Sequence, residues 1–94
     1  MLRHVILFRL ADPDAHGDEL VSRLMALPDQ IPEIREYEAG RDVSGAPNSF
    51  DVGLWSSFDD TEGLERYRVH PAHQEVVAYL EEVSPERIVV DWLT

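Results

Sequence analysis

The sequence predicts an α+β domain built on a four-stranded antiparallel sheet. Three observations carry that prediction: strand-like and helix-like segments follow the order βαββαβ, the second helix is interrupted once at a proline, and the first strand is apolar on both faces. The 94 residues fit one domain spanning 1–94, since a domain typically takes ~100 to 200.

Each element has its own signal. Arg3 to Arg9 is rich in β-branched and aromatic types and too short for a buried helix, so it reads as the first strand. Asp12-Pro13 supplies an N-cap and a proline suited to the first helical position, with Asp14, Asp18 and Glu19 on the favourable side of the macrodipole. Leu20, Val21, Leu24 and Leu27 recur at helical spacing until Pro28 stops them. From Ile31 to Gly40 the chain turns through Pro32 and becomes extended, with charges on alternate residues as in an edge strand. After the turn cluster Gly45-Ala46-Pro47-Asn48, the third strand runs from Phe50 to Trp55, with Phe50, Val52 and Leu54 alternating. These two strands are expected to pair as a hairpin.

Asp59-Asp60-Thr61-Glu62 opens the second helix, which carries Leu64 and Tyr67 and breaks at His70, because the residue before Pro71 is pushed away from helical angles. Pro71 restarts it, Val76, Val77 and Leu80 form its buried stripe, and Ser84-Pro85 ends it. Arg87 to Leu93 is the fourth strand. This order matches the split βαβ, or ferredoxin-like, arrangement.

The first strand adds a requirement. Two helices cover one face of such a sheet, yet Val5 and Leu7 point to one side while Ile6 and Phe8 point to the other. An apolar second face needs cover, most simply from another copy of the chain. The expectation is a homodimer through facing sheets, a dimeric α/β barrel with room for a cavity between them.

Composition narrows the function. Nineteen acidic residues against eight basic ones give a net charge of −11, which repels phosphate backbones and anionic membranes, so neither nucleic acid nor a membrane is an expected partner. Cysteine is absent, which removes disulfides, thiolate zinc sites and a cysteine nucleophile. No signal-peptide pattern follows Met1-Leu2-Arg3-His4, and a cytoplasmic location is the default expectation.

Chemistry is left mainly to the histidines. His4 shares a strand face with Ile6 and Phe8 and points into whatever apolar space they line. His16 lies in an acidic first helical turn and reads as solvated. In Tyr67-Arg68-Val69-His70-Pro71-Ala72-His73 the helix break lets His70 and His73 converge on one region, where N-terminal backbone amides would depress an imidazole pKa and keep it neutral. The alternative is structural: His70 caps the helix, His73 is exposed and Tyr67 packs in the core. His-x-x-His with His4 as a third ligand falls short of a zinc motif, and there is no nucleophile elbow or phosphate loop, so neither metal nor cofactor is expected. Asp91, on a strand among Val89, Val90 and Trp92, needs a partner if buried, either an imidazole or an arginine.

Taken together, Arg3-His4-Val5-Ile6-Leu7-Phe8, Ile31-Pro32-Glu33-Ile34, Gly40-Arg41-Asp42-Val43-Ser44, Phe50-Asp51-Val52, Phe58, and above all Tyr67 with His70-Pro71-Ala72-His73 resemble the stress-responsive A/B barrel domain family. The likeness covers essentially the whole chain and implies a dimeric α+β barrel. Polyketide cyclase chemistry within that family uses a histidine base and a tyrosine partner. By resemblance these roles fall on His73 and Tyr67, with His4 in the pocket wall and His70 and Asp91 in support. The implied lining is Ile6, Phe8, Leu20, Leu24, Leu54, Ser56 and Val76. Ser84 and Arg87 stand where the cyclase resemblance favours large apolar residues.

Three readings follow. The first is cofactor-free acid–base catalysis on a carbonyl-containing small molecule, since a methylene between carbonyls is acidic enough for an imidazole of pKa near ~6.5. The second is a non-catalytic ligand-binding or stress-associated dimer. The third is a cofactor-independent monooxygenase of the dimeric barrel type.

Overall fold

A computed structural model describes residues 1–94. Strand β1 (Leu2–Arg9) leads to helix α1 (Pro13–Met25) and a short 3-10 turn (Leu27–Asp29); β2 (Glu36–Arg41), β3 (Val52–Phe58), α2 (Thr61–Val69), α3 (Pro71–Val83) and β4 (Glu86–Leu93) follow. The strands form one antiparallel sheet in the order β2-β3-β1-β4, with the helices on one face. This is the ferredoxin-like α+β fold expected from the sequence.

The helix starts are built as their residues dictate. The Asp12 carboxylate accepts from the Ala15 N–H at 3.2 Å, and the Asp60 carboxylate accepts from the Gly63 N–H at 2.8 Å, each satisfying an orphan amide of a first turn. His70, held extended before Pro71 at φ −62° and ψ 136°, ends α2, and its ring Nδ1 accepts from the Ala72 N–H at 3.1 Å. It is the N-cap of α3.

Two elements differ from the sequence expectation. The first helix ends at Met25 and the chain tightens into the 3-10 turn over Leu27–Asp29, so Pro28 sits inside a turn rather than stopping a helix. Strand β3 begins at Val52 and continues through Ser56, Ser57 and Phe58. Both serines are fully buried without penalty because each hydroxyl has an acceptor: Ser56 Oγ donates to the His4 carbonyl at 3.1 Å and Ser57 Oγ to Glu36 Oε1 at 2.8 Å. Phe50 lies outside the strand, beneath the Arg9 guanidinium at 4.2 Å from its ring centre.

Register then sorts the side chains. His4 lies opposite Ser56 on one side and Asp91 on the other, and Ile6 opposite Leu54 and Val89. With Leu2 and Phe8, these residues face the helices. The core beneath the helices includes Phe8, Leu20, Leu24, Leu27, Ile31, Phe58 and Tyr67, all essentially sealed from solvent. On the opposite face Val5, Leu7, Trp55, Ile88, Val90 and Trp92 form a continuous apolar surface, in which Ile88, Val90 and Trp92 remain 48, 55 and 43% exposed.

Candidate functional site

A cavity of about 140 Å³ opens between the sheet and the helices of a single chain. Its floor is His4, Ile6 and Phe8 of β1 with Leu54 of β3; Leu24, Tyr67, His73, Val76, Val77 and Leu80 form the roof; Arg68, Arg87 and Val89 complete the wall. The sequence reading places a small apolar pocket near His4, Tyr67 and His73 and leaves room for a cavity between facing sheets. This cavity holds all three residues and lies on the helix side of the sheet, because strand alternation turns His4, Ile6 and Phe8 toward the helices and Val5 and Leu7 away.

Two imidazoles enter the wall with their Nδ1 atoms engaged. His4 Nδ1 hydrogen-bonds the Asp91 carboxylate, and His73 Nδ1 lies 3.1 Å from the Arg68 carbonyl oxygen. Both partners are acceptors, so in the neutral ring Nδ1 carries the proton and Nε2 keeps its lone pair. Asp91 also faces the Arg68 guanidinium at 3.6 Å, so the imidazole and the arginine considered from sequence are both its partners. His73 is half-buried, and burial pushes its pKa below the ordinary imidazole value; the hydrogen bond to the Arg68 carbonyl works against that fall, and the charges of His4, Arg68 and His70 add to it. The sequence points to helix-terminal amides as the source of that depression; in the structure its largest cause is desolvation.

Tyr67 packs its ring against that of His73, with centroids 4.3 Å apart, and its hydroxyl meets the Tyr37 hydroxyl at 2.7 Å. Burial pushes the Tyr67 phenol up to about 12 and raises that of Tyr37 further, so both stay protonated and act as neutral donors. One hydroxyl donates to the other, which leaves the acceptor's own proton for a third group.

Most of the expected site residues meet here: His4, Ile6, Phe8, Leu24, Leu54, Tyr67, His73 and Val76 are all in the wall, and Asp91 stands behind His4. Three do not join them. His70 spends its ring nitrogen on the α3 cap, Leu20 is sealed in the core, and Ser56 turns its hydroxyl to backbone. His16 departs from the solvated expectation: its ring packs edge-on against Tyr79, centroids 6.3 Å apart, with Nδ1 3.4 Å from the hydroxyl. Tyr37, Arg68 and Val89 were not among the expected site residues. Val89 was legible through the alternation of β4, whereas the other two meet their partners only through tertiary packing. No group of three or more His, Cys, Asp or Glu side chains is gathered in a way that would hold a metal ion. No helix is long and apolar enough to cross a membrane.

Comparison with known proteins agrees with this architecture. An uncharacterized protein of Streptomyces coelicolor is 36% identical over 88 residues, spanning 89% of this chain and 91% of the relative. The crystal structure of a dimeric protein of unknown function with a ferredoxin-like fold from Bacteroides fragilis superposes with a TM-score of 0.89 at 26% identity, covering 99% of this chain and 95% of the other. A dimeric ferredoxin-like protein of unknown function from Thermobifida fusca gives a TM-score of 0.86 at 29% identity, covering 99% and 90%. The family model of the stress responsive A/B barrel domain matches residues 2–94, and with topology and related structures in accord, this chain belongs to that family.

Proposed function

We propose that the chain works as a homodimer through its open sheet faces, and that the cavity in each subunit carries out cofactor-free acid–base chemistry on a small carbonyl-containing molecule. The observation that carries the chemistry is the paired orientation of His4 and His73, each with Nδ1 on an acceptor and Nε2 left as a base. His73 is the base of choice, because its burial keeps it neutral at pH values where an ordinary imidazole begins to protonate. A C–H between two carbonyls gives its proton to Nε2 and its electron pair to an enolate oxygen. Tyr67, accepting from Tyr37, donates its own hydrogen to that oxygen. Asp91 orients His4 beside it, and Ile6, Phe8, Leu54 and Val76 hold the substrate away from water. Where the enolate carbon is held against a second carbonyl it adds to the carbonyl carbon, the C=O π pair moves onto its oxygen, and the proton held on His73 Nε2 returns to the alkoxide, closing the ring by intramolecular addition.

The dimer reading rests on the apolar face of Val5, Leu7, Trp55, Ile88, Val90 and Trp92, and on related structures described as dimeric.

Deuterium exchange at the central methylene of a small β-keto thioester tests the chemistry. The wild type should speed exchange and His73→Gln should return it to the buffer rate. Exchange that survives His73→Gln removes the proposed base; a wild type that binds the thioester without speeding exchange is a binding protein only.

A further inference from the structure

The exposed part of the cavity wall consists of Arg68, Arg87 and Val89, so two of the three residues at its mouth are cations. They come from opposite layers: Arg68 from the last turn of α2, and Arg87 from β4, where it pairs with Phe8 on the helix-facing side. No acidic side chain lines the cavity. In a chain with eight basic residues against nineteen acidic ones, two guanidinium groups stand at one apolar opening, each with one carboxylate on its outer side.

Each arginine has donors to spare. Arg68 meets Asp91 at 3.6 Å, too far for a direct hydrogen bond, and Asp91 is already shared with His4. Arg87 makes a single 3.4 Å contact with the largely exposed Glu81. A guanidinium carries five N–H donors in a fixed fork, so either group can accommodate a further planar anion. Behind them the cavity is mainly aliphatic, and about 140 Å³ is close to the room that accepts one benzene-sized ring.

We propose that this site selects small monoanions: molecules with an apolar body no larger than about one ring and a single carboxylate. The body enters between Ile6, Leu54 and Val76, and the carboxylate stays at the mouth between Arg68 and Arg87. The assignment deepens the proposed function by naming the charge and size of its substrate class, and Arg68 and Arg87 together set specificity.

The test is binding of benzoate and of benzamide, its neutral isostere, followed by NMR titration of the wild type, Arg68→Gln, Arg87→Gln and Arg87→Lys. Benzoate should bind the wild type at least roughly tenfold more tightly than benzamide, as expected when charge-assisted hydrogen bonds are added to the same apolar contacts. Each Gln variant should reduce that preference several-fold while leaving benzamide binding unchanged, and Arg87→Lys should keep part of it. Shifts should centre on Ile6, Val76 and Val89. Equal affinity for the two probes, a preference that survives both Gln changes, or no benzoate binding up to about 10 mM overturns the proposal. Because binding is read without turnover, the two readings fail separately. A protein that prefers benzoate but exchanges no thioester proton loses only the catalytic reading, and one that exchanges protons without charge preference loses only this one.

Discussion

At His73 the sign of the pH dependence follows from burial. The unfolded chain binds a proton there near the ordinary imidazole value of about 6.5, whereas the folded chain binds it only at lower pH. The neutral ring's contribution to stability is therefore complete above the unfolded value and is lost as pH falls through the window beneath it. NMR titration of the His73 ring should give a midpoint below 6.5, and His73→Gln should flatten the acid side of the stability curve. If methylene exchange runs through this base, its acid limb should lie in the same window. A second residue-scale expectation concerns the Tyr37–Tyr67 pair. Either Phe substitution strands the other buried hydroxyl, at a cost of about 1–3 kcal/mol. The double Phe variant removes donor and acceptor together, so urea unfolding should show a combined loss smaller than the sum of the single losses.

Among the elements, the break between α2 and α3 is where chemistry and structure were hardest to separate. His70-Pro71 announces a helix boundary, and the structure uses the imidazole for the boundary itself. His70→Ala should destabilise the fold by about 1 kcal/mol, and His70→Asn, which retains a side-chain acceptor, should recover most of it in thermal or urea melts. Capping signals, prolines and strand alternation are local, so α1, α2, α3 and the two faces of β1 were legible along the chain. The end of β3 was not, because Ser56 and Ser57 look like loop residues until the His4 carbonyl and Glu36 arrive as acceptors from neighbouring strands. The site divides in the same way. His4, Ile6 and Phe8 share a face by periodicity alone, while the Arg68–Asp91 and Tyr37–Tyr67 contacts join residues 23 and 30 positions apart and carry no local signal.

For the whole molecule the open sheet face sets the argument. The helices satisfy one side of the sheet and leave Val5, Leu7, Trp55, Ile88, Val90 and Trp92 on the other, a patch too continuous for a lone subunit of this size to leave in water. Full burial of such side chains contributes about 1.5–3 kcal/mol each before the entropy of association is subtracted, so several of them suffice for a stable pair. Charge opposes this association, since each chain brings a net −11. Screening weakens that repulsion without weakening apolar contact, so light scattering should show a dimer at micromolar concentration that tightens as salt is raised. Val90→Glu puts a carboxylate in the middle of the face and should give a monomer. For the wild type the melting temperature should rise with protein concentration, because only the folded chain pairs; for Val90→Glu it should be lower and independent of concentration. A wild type that stays monomeric at every salt concentration contradicts the pairing of faces. The cavity, built within one chain, would remain, and benzoate binding by the Val90→Glu monomer would measure how far the site depends on the partner.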